Sequence, residues 1–108
     1  MLAKDIKLSR KDNIREIIEK GTEIRSSYFV IKISPSDSDH TKFAVVVSSK
    51  ISKKAVERNK LRRRIYEIIR LNLNKFSIEP AEKIVILTRS RAISASYKTL
   101  ENELIKIL

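Results

Sequence analysis

Residues 50 to 70, KISKKAVERNKLRRRIYEIIR, gather the side chains of this chain that could do chemistry. Nine are basic (Lys50, Lys53, Lys54, Arg58, Lys60, Arg62, Arg63, Arg64, Arg70) and two are acidic (Glu57, Glu67), so +7 of the net +11 lies in this one stretch. Ammonium groups and guanidinium forks at this density suit a row of phosphates. The competing reading is a solvated charged face. Such a face normally mixes signs to gain i,i+4 pairs, whereas Arg62-Arg63-Arg64 puts three cations in succession. Crowded like charges destabilise a helix unless an anion neutralises them. Asn59, one turn before Arg63, adds a neutral donor and acceptor beside a fork.

Catalysis by protein side chains finds no footing. The chain has no Cys and a single His, so neither a thiolate metal site nor a Ser/His/Asp or Cys/His arrangement is available. His40 stands alone in a polar segment and reads as a solvent residue. One glycine cannot build a phosphate-cradling loop. Glu101 and Glu103 are two apart on a predicted helix and face different directions. The expectation is no catalytic residue, no bound metal and no small-molecule substrate.

The elements that must position the basic run follow from periodicity. Ser9-Arg10-Lys11-Asp12 matches a capping box. Ile14, Ile17 and Ile18 then predict a helix over about 10 to 20, closed by Gly21 as a left-handed C′ residue. Residues 23 to 33 are β-branched and aromatic and read as one strand, with Ile24, Tyr28 and Val30 on one parity and Phe29, Ile31 and Ile33 on the other. A polar turn at 34–39 leads to a second strand at 42–48, antiparallel to the first. Ser52 is the expected cap of a long helix over about 53 to 73. Its apolar stripe is Leu61, Ile65, Ile68 and Ile69; Asn59, Lys60, Arg63, Arg64 and Arg70 fan over the opposite side, with Arg58, Arg62 and Tyr66 on the border. Pro80 ends the connection. Ile84-Val85-Ile86-Leu87 is apolar at both parities, as an interior strand covered on both faces should be. Ser96 caps a last helix bearing Tyr97, Leu100, Leu104 and Ile107 on one face. The predicted fold is α+β: a single-domain small α/β sandwich over 1–108, in the order α-β-β-α-β-α.

With 42% apolar residues the chain folds, and a pI near 10.1 directs it to polyanions. No signal-like core and no apolar run of the roughly 18 residues a membrane span needs is present. The simplest location is the cytoplasm. A basic amphipathic helix on anionic membranes would favour bulky aromatic anchors that this one lacks, so no membrane partner is expected. The basic helix follows a strand rather than a short helix and turn, which fits RNA shape recognition better than helix-turn-helix binding to DNA.

Two segments carry a resemblance. Val45-Val46-Val47-Ser48-Ser49-Lys50-Ile51 and Ala55-Val56-Glu57-Arg58-Asn59-Lys60-Leu61-Arg62-Arg63 closely resemble the signature of the bacterial ribonuclease P protein subunit. That signature is an Arg-Asn-Arg-type motif and a basic pair on a long helix, after a strand ending in Ser-Lys. Leu8 to Thr22 resembles the family's first helix. Ile84 to Leu87 with Arg89, and Tyr97 onward, resemble its last strand and helix.

The resemblance implies an RNase P protein-like fold with an unusual left-handed β-α-β crossover, against the usual right-handed rule. It implies a subunit of the ribonuclease P holoenzyme, an endoribonuclease that removes the 5′ leader of precursor tRNA. The expected partners are the RNase P catalytic RNA and precursor tRNA. The catalytic centre and the Mg²⁺ would lie mainly with the RNA. Carried over, Arg58, Asn59, Lys60, Arg62 and Arg63 form the RNA-contacting motif, with Lys50, Lys53 and Lys54 in the loop before it; Arg64 and Arg70 of the basic fan are expected to bind RNA as well. Lys60 replaces the commonest Arg and keeps the charge without the planar fork. The leader cleft would hold Ile14, Ile18, Phe29 and Tyr66. Ile14 and Ile18 stand where many relatives carry aromatics. Isoleucine packs on a base but does not stack, so leader contact should be weaker here, with Phe29 the nearest compensating ring. The alternative is a non-catalytic RNA-binding protein, such as a ribosomal protein or RNA chaperone. It explains the basic helix but not the order of flanking elements.

Overall fold

Isoleucines at helical spacing form the first helix as predicted, but it begins later. In the computed structural model, which describes residues 7–8, 13–36, 41–73 and 82–108, α1 is Ile14–Lys20. Asn13 caps it from the left-handed region at φ 48°, its side-chain carbonyl accepting the Glu16 N–H at 3.3 Å. Asparagine is one of the few residues that tolerate that conformation and also cap. The capping box at Ser9 and Asp12 lies outside the described residues, as do His40 and Pro80.

Gly21 is not left-handed. Its backbone is extended (φ −67°, ψ 157°), and the reason for glycine is space. A Cβ there would stand 2.5 Å from the Ile17 carbonyl oxygen and 3.0 Å from that of Ile33. The chain turns from helix to strand against two backbones at once.

The segment read as one strand is a hairpin of β1, Thr22–Arg25, and β2, Phe29–Pro35. Ser26 makes the turn. Its N–H donates to Phe29 O at 2.8 Å, and its hydroxyl accepts from the N–H of Tyr28 and of Phe29 at 3.3 and 3.0 Å. A serine side chain thus supplies locally what a glycine turn would supply by conformation. The break resets the parity. Ile24 pairs directly with Ile31, so both share one face, contrary to the alternation expected of a continuous strand.

The second predicted strand forms as β3, Lys42–Val46, but it does not pair with the first. A later strand, β4 (Glu82–Thr88), lies between them, giving the order β1-β2-β4-β3. β4 is antiparallel to β2 and parallel to β3. The intervening helix α2, Ala55–Leu71, makes β3-α2-β4 the β-α-β unit. Covering on both faces explains the unbroken apolar run in β4: Ile84, Val85 and Ile86 are all fully buried.

Ile84 and Ile86 join Phe29, Ile31, Phe43 and Val45 on the face covered by α2 and the last helices, α3 (Arg91–Ser94) and α4 (Tyr97–Ile107). α3 was not foreseen. Val85, with Ala44, faces the other way, under Leu8 and Ile17 of the α1 side. Ser96 caps α4 as predicted, accepting the Thr99 N–H at 3.2 Å. Among the described residues the sandwich is therefore asymmetric: two helices and a short turn of a third on one side, one short helix on the other.

Candidate nucleic-acid interface

The apolar stripe of α2 is buried as its spacing requires: Leu61, Ile65, Ile68 and Ile69 all lie against the sheet. Each such burial contributes about 1.5–3 kcal/mol. A like-charge pair at i,i+4 costs about 0.2–0.5 kcal/mol. The stripe therefore holds the helix in place in spite of the cations on its outer side.

The loop before α2 is pinned by its serines. Ser48 Oγ accepts the Lys50 N–H at 3.1 Å, and Ser52 Oγ accepts the Lys54 N–H at 3.2 Å. Ser52 is not the helix cap, however. Lys54 occupies that position without a side-chain hydrogen bond, and α2 spans 55–71 rather than 53–73. The Ser52 hydroxyl instead donates to Glu57 Oε1 at 2.5 Å, while the Arg58 guanidinium donates to the Ser52 carbonyl at 2.8 Å. Arg58 is thus half-buried and braces the loop that presents Lys50, Lys53 and Lys54.

Asn59 sits beside a fork, but that of Arg62 rather than Arg63: Arg62 donates to Asn59 Oδ1 at 2.8 Å. Arg70 is paired with Glu67 at 2.6 Å, and this guanidinium holds the Glu67 carboxyl below the usual carboxylate range. Both acids of the helix are therefore engaged elsewhere, Glu57 with Ser52 and Glu67 with Arg70. Lys60, Arg63 and Arg64, together with the ammonium groups of Lys50, Lys53 and Lys54, have no ion-pair partner among the described residues. Among the described residues this side of α2 is thus a set of cations without an ion-pair partner.

The four leader-cleft candidates are not brought together. Ile14 and Ile18 are half-buried on the α1 face. Phe29 is fully buried on the opposite face, within the α2 core, and cannot touch a bound strand. Odd and even positions of the strand were separable from sequence, but which face α1 would cover was not. Tyr66 is also on the α2 side, at the outer edge of β3, where its hydroxyl accepts the Val45 N–H at 3.2 Å. Burial pushes its phenol up, and the Lys7 ammonium lies 4.9 Å from its ring centroid.

Two other side chains stand on the α1 face where Phe29 was expected. Val46 and Leu87 are half-buried beside Ile14 and Ile18. Their signal was the second parity of β3 and β4. Arg89 and Arg91 were also passed over as ligands. The pairings Phe29↔Thr88 and Val46↔Leu87 bring them to the end of the sheet from which the Lys50 loop departs. Arg89 donates to the Ser26 carbonyl at 2.8 Å, and Arg91 lies 6.0 Å from the Tyr28 ring centroid.

Among the described residues no three His, Cys, Asp or Glu side chains gather as a metal site, and no helix is long and apolar enough to cross a membrane. The family model for Ribonuclease P matches residues 2–108. The chain belongs to the ribonuclease P protein family. Ribonuclease P protein components from Rippkaea orientalis (34% identical, covering 94% of this chain and 85% of the relative) and Pseudanabaena sp. (31%, covering 100% and 92%) are similar to it. That of Clostridioides difficile is 31% identical, covering 90% and 83%. The fold agrees. The RNase P protein from Thermotoga maritima superposes with a TM-score of 0.82 at 25% identity, covering 94% of each chain. A Staphylococcus aureus RNase P protein mutant with defective mRNA degradation activity gives 0.82 at 25%, covering 97% of this chain and 86% of that one. As a ribonuclease P protein, the chain displays its basic motif on a helix whose other side is fully committed to the core.

Proposed function

We propose that this chain is the protein subunit of ribonuclease P. It binds the catalytic RNA and the 5′ leader of precursor tRNA and promotes Mg²⁺-dependent endonucleolytic removal of the leader in the cytoplasm. The observation that carries this reading is the set of cations Lys60, Arg63 and Arg64, unpaired among the described residues and backed by the pinned Lys50–Lys54 loop. A family member with that surface offsets phosphate repulsion between two RNAs, so that they approach at lower bulk salt. The reaction is assigned to the RNA subunit. Mg²⁺ is assigned there too, to RNA and substrate oxygens; among the described residues no three carboxylates gather to hold it.

Reconstitution tests the assignment. Adding the chain to a catalytic RNA subunit at low Mg²⁺ should stimulate 5′ processing of precursor tRNA. Retardation of any RNA without stimulation would instead identify a general RNA-binding protein. Arg62→Ala with Arg63→Ala should weaken RNA binding and flatten its salt slope by about two units, because each phosphate contact contributes roughly one.

A further inference from the structure

One aromatic residue near the basic fan packs only partly on the core and lies away from Ile14 and Ile18. Tyr97, the first residue of α4, is half-buried beside α2. With Lys60, Arg63, Arg64 and Glu67 it lines an open hollow of about 250 Å³ whose walls are mostly carbon. A smaller hollow of about 140 Å³ shares Lys60 and Arg64 and continues toward Ile93 of α3. We propose that Tyr97 is the platform of a nucleotide subsite: a base extruded from the catalytic RNA stacks on its ring while the adjoining phosphate lies on Lys60, Arg63 and Arg64.

The wall is placed by contacts deeper in the fold. Asn72, buried just past the end of α2, donates to the Ile68 carbonyl at 2.8 Å and to Glu101 Oε2 at 3.0 Å, tying α2 to α4 one turn beyond Tyr97. Leu100 and Leu104 are fully buried beneath. The ring is therefore held at a set distance from the cations. Its hydroxyl has no hydrogen-bond partner among the described residues and is not buried, so it remains a donor for a ribose or base oxygen.

Charge sets the orientation. Glu67 is an anion at the Tyr97 end, kept ionised by Arg70. That ion pair leaves the Tyr97 end without net positive charge, so a phosphate is drawn to the Lys60–Arg64 end, which leaves the ring side for the uncharged base. A flat π surface beside unpaired cations is the arrangement that takes an unpaired nucleotide without reading its sequence. The hollow is on the α2–α4 side of the sheet, opposite Ile14 and Ile18, so the nucleotide comes from the catalytic RNA and not from the leader.

This inference rests on the ribonuclease P reading and has its own test. Equilibrium binding of the full chain to catalytic RNA alone, over a range of salt, is compared for the unaltered protein, Tyr97→Leu and Tyr97→Phe. Leucine keeps apolar cover for α4, and phenylalanine keeps the ring. Tyr97→Leu should weaken assembly roughly tenfold, as loss of one stacked base does, with the salt slope unchanged. Tyr97→Phe should restore most of the loss. The preference of the assembled holoenzyme for leader-bearing over leaderless precursor should not move. Equal binding by Tyr97→Leu overturns the subsite while leaving the subunit reading intact. A loss seen only with leader-bearing substrate assigns the wrong RNA and also overturns it. Failure of the unaltered chain to bind catalytic RNA overturns both readings.

Discussion

The two faces of the sheet are built to different standards. The α2 side closes over a continuous core in which Phe29, Ile31, Phe43, Ile65, Ile68, Ile69, Ile84 and Ile86 are all fully buried. Among the described residues the α1 side buries Leu8, Ile17, Ala44 and Val85, and leaves Ile14, Ile18, Val46 and Leu87 partly open. One face supplies stability and presents charge on its outer surface. The other is a thinly covered apolar strip that a second molecule could complete. Stability and access are thus separated by a single β-sheet, and changes on its two faces should differ in kind.

The largest effect belongs to the closed face. Ile68→Ala should cost about 2–5 kcal/mol in chemical denaturation, whereas Ile14→Ala, already part-exposed, should cost roughly 1 kcal/mol. Equal losses would show that the α1 side is as tightly closed as the other. Next comes the junction between faces. Gly21→Ala should destabilise by about 1–3 kcal/mol, because the added carbon meets two backbone oxygens. Gly21→Asn, which would suit a left-handed position, should be no better; a near-native melting temperature for Asn would contradict the steric account.

Smaller effects sharpen the open face. Ile14→Phe should raise leader-dependent affinity about fivefold by restoring a stacking surface, and no gain over leaderless substrate would remove that helix from the cleft. The least effect is electrostatic. Glu23 and Lys32 pair across β1 and β2 on the α1 side. The Lys32 hydrogen bond, then that of Arg25, holds the Glu23 carboxyl down to about 2 from 4.5. A lowered folded-state value means stability that is present above about 4.5 and is lost as pH falls toward about 2. Glu23→Gln should therefore flatten the fall in melting temperature across that window, slightly, because the group is exposed and screened. Superimposable acid profiles would assign the ion pair no role.

What could be read from sequence was what depends on local period and local capping. The Leu61–Ile69 stripe, the doubly apolar β4, the Ser96 cap and the basic fan all follow from neighbours within a few residues. The insertion of β4 between β2 and β3 is a choice among long-range pairings, which no local pattern encodes. The Ser26 turn escaped notice because its side chain makes the bonds and no residue there has positive φ. Phe29 was assigned to the wrong surface for a related reason: alternation separates two faces but does not say which one α1 will cover. In the candidate site, the cations were legible and their partners were not. Only folded geometry sends Arg58 back to Ser52 and brings Tyr97 alongside Lys60.

The Tyr66 hydroxyl has a consequence beyond its own hydrogen bond. It occupies the Val45 amide on the outer rim of β3, and Leu8 occupies the neighbouring Phe43 carbonyl at 2.8 Å. At the far rim, β1 is short and carries Glu23 and Arg25. Neither margin invites another copy to add a strand, so a polypeptide this rich in β-branched residues resists self-assembly into ribbons while it awaits its RNA.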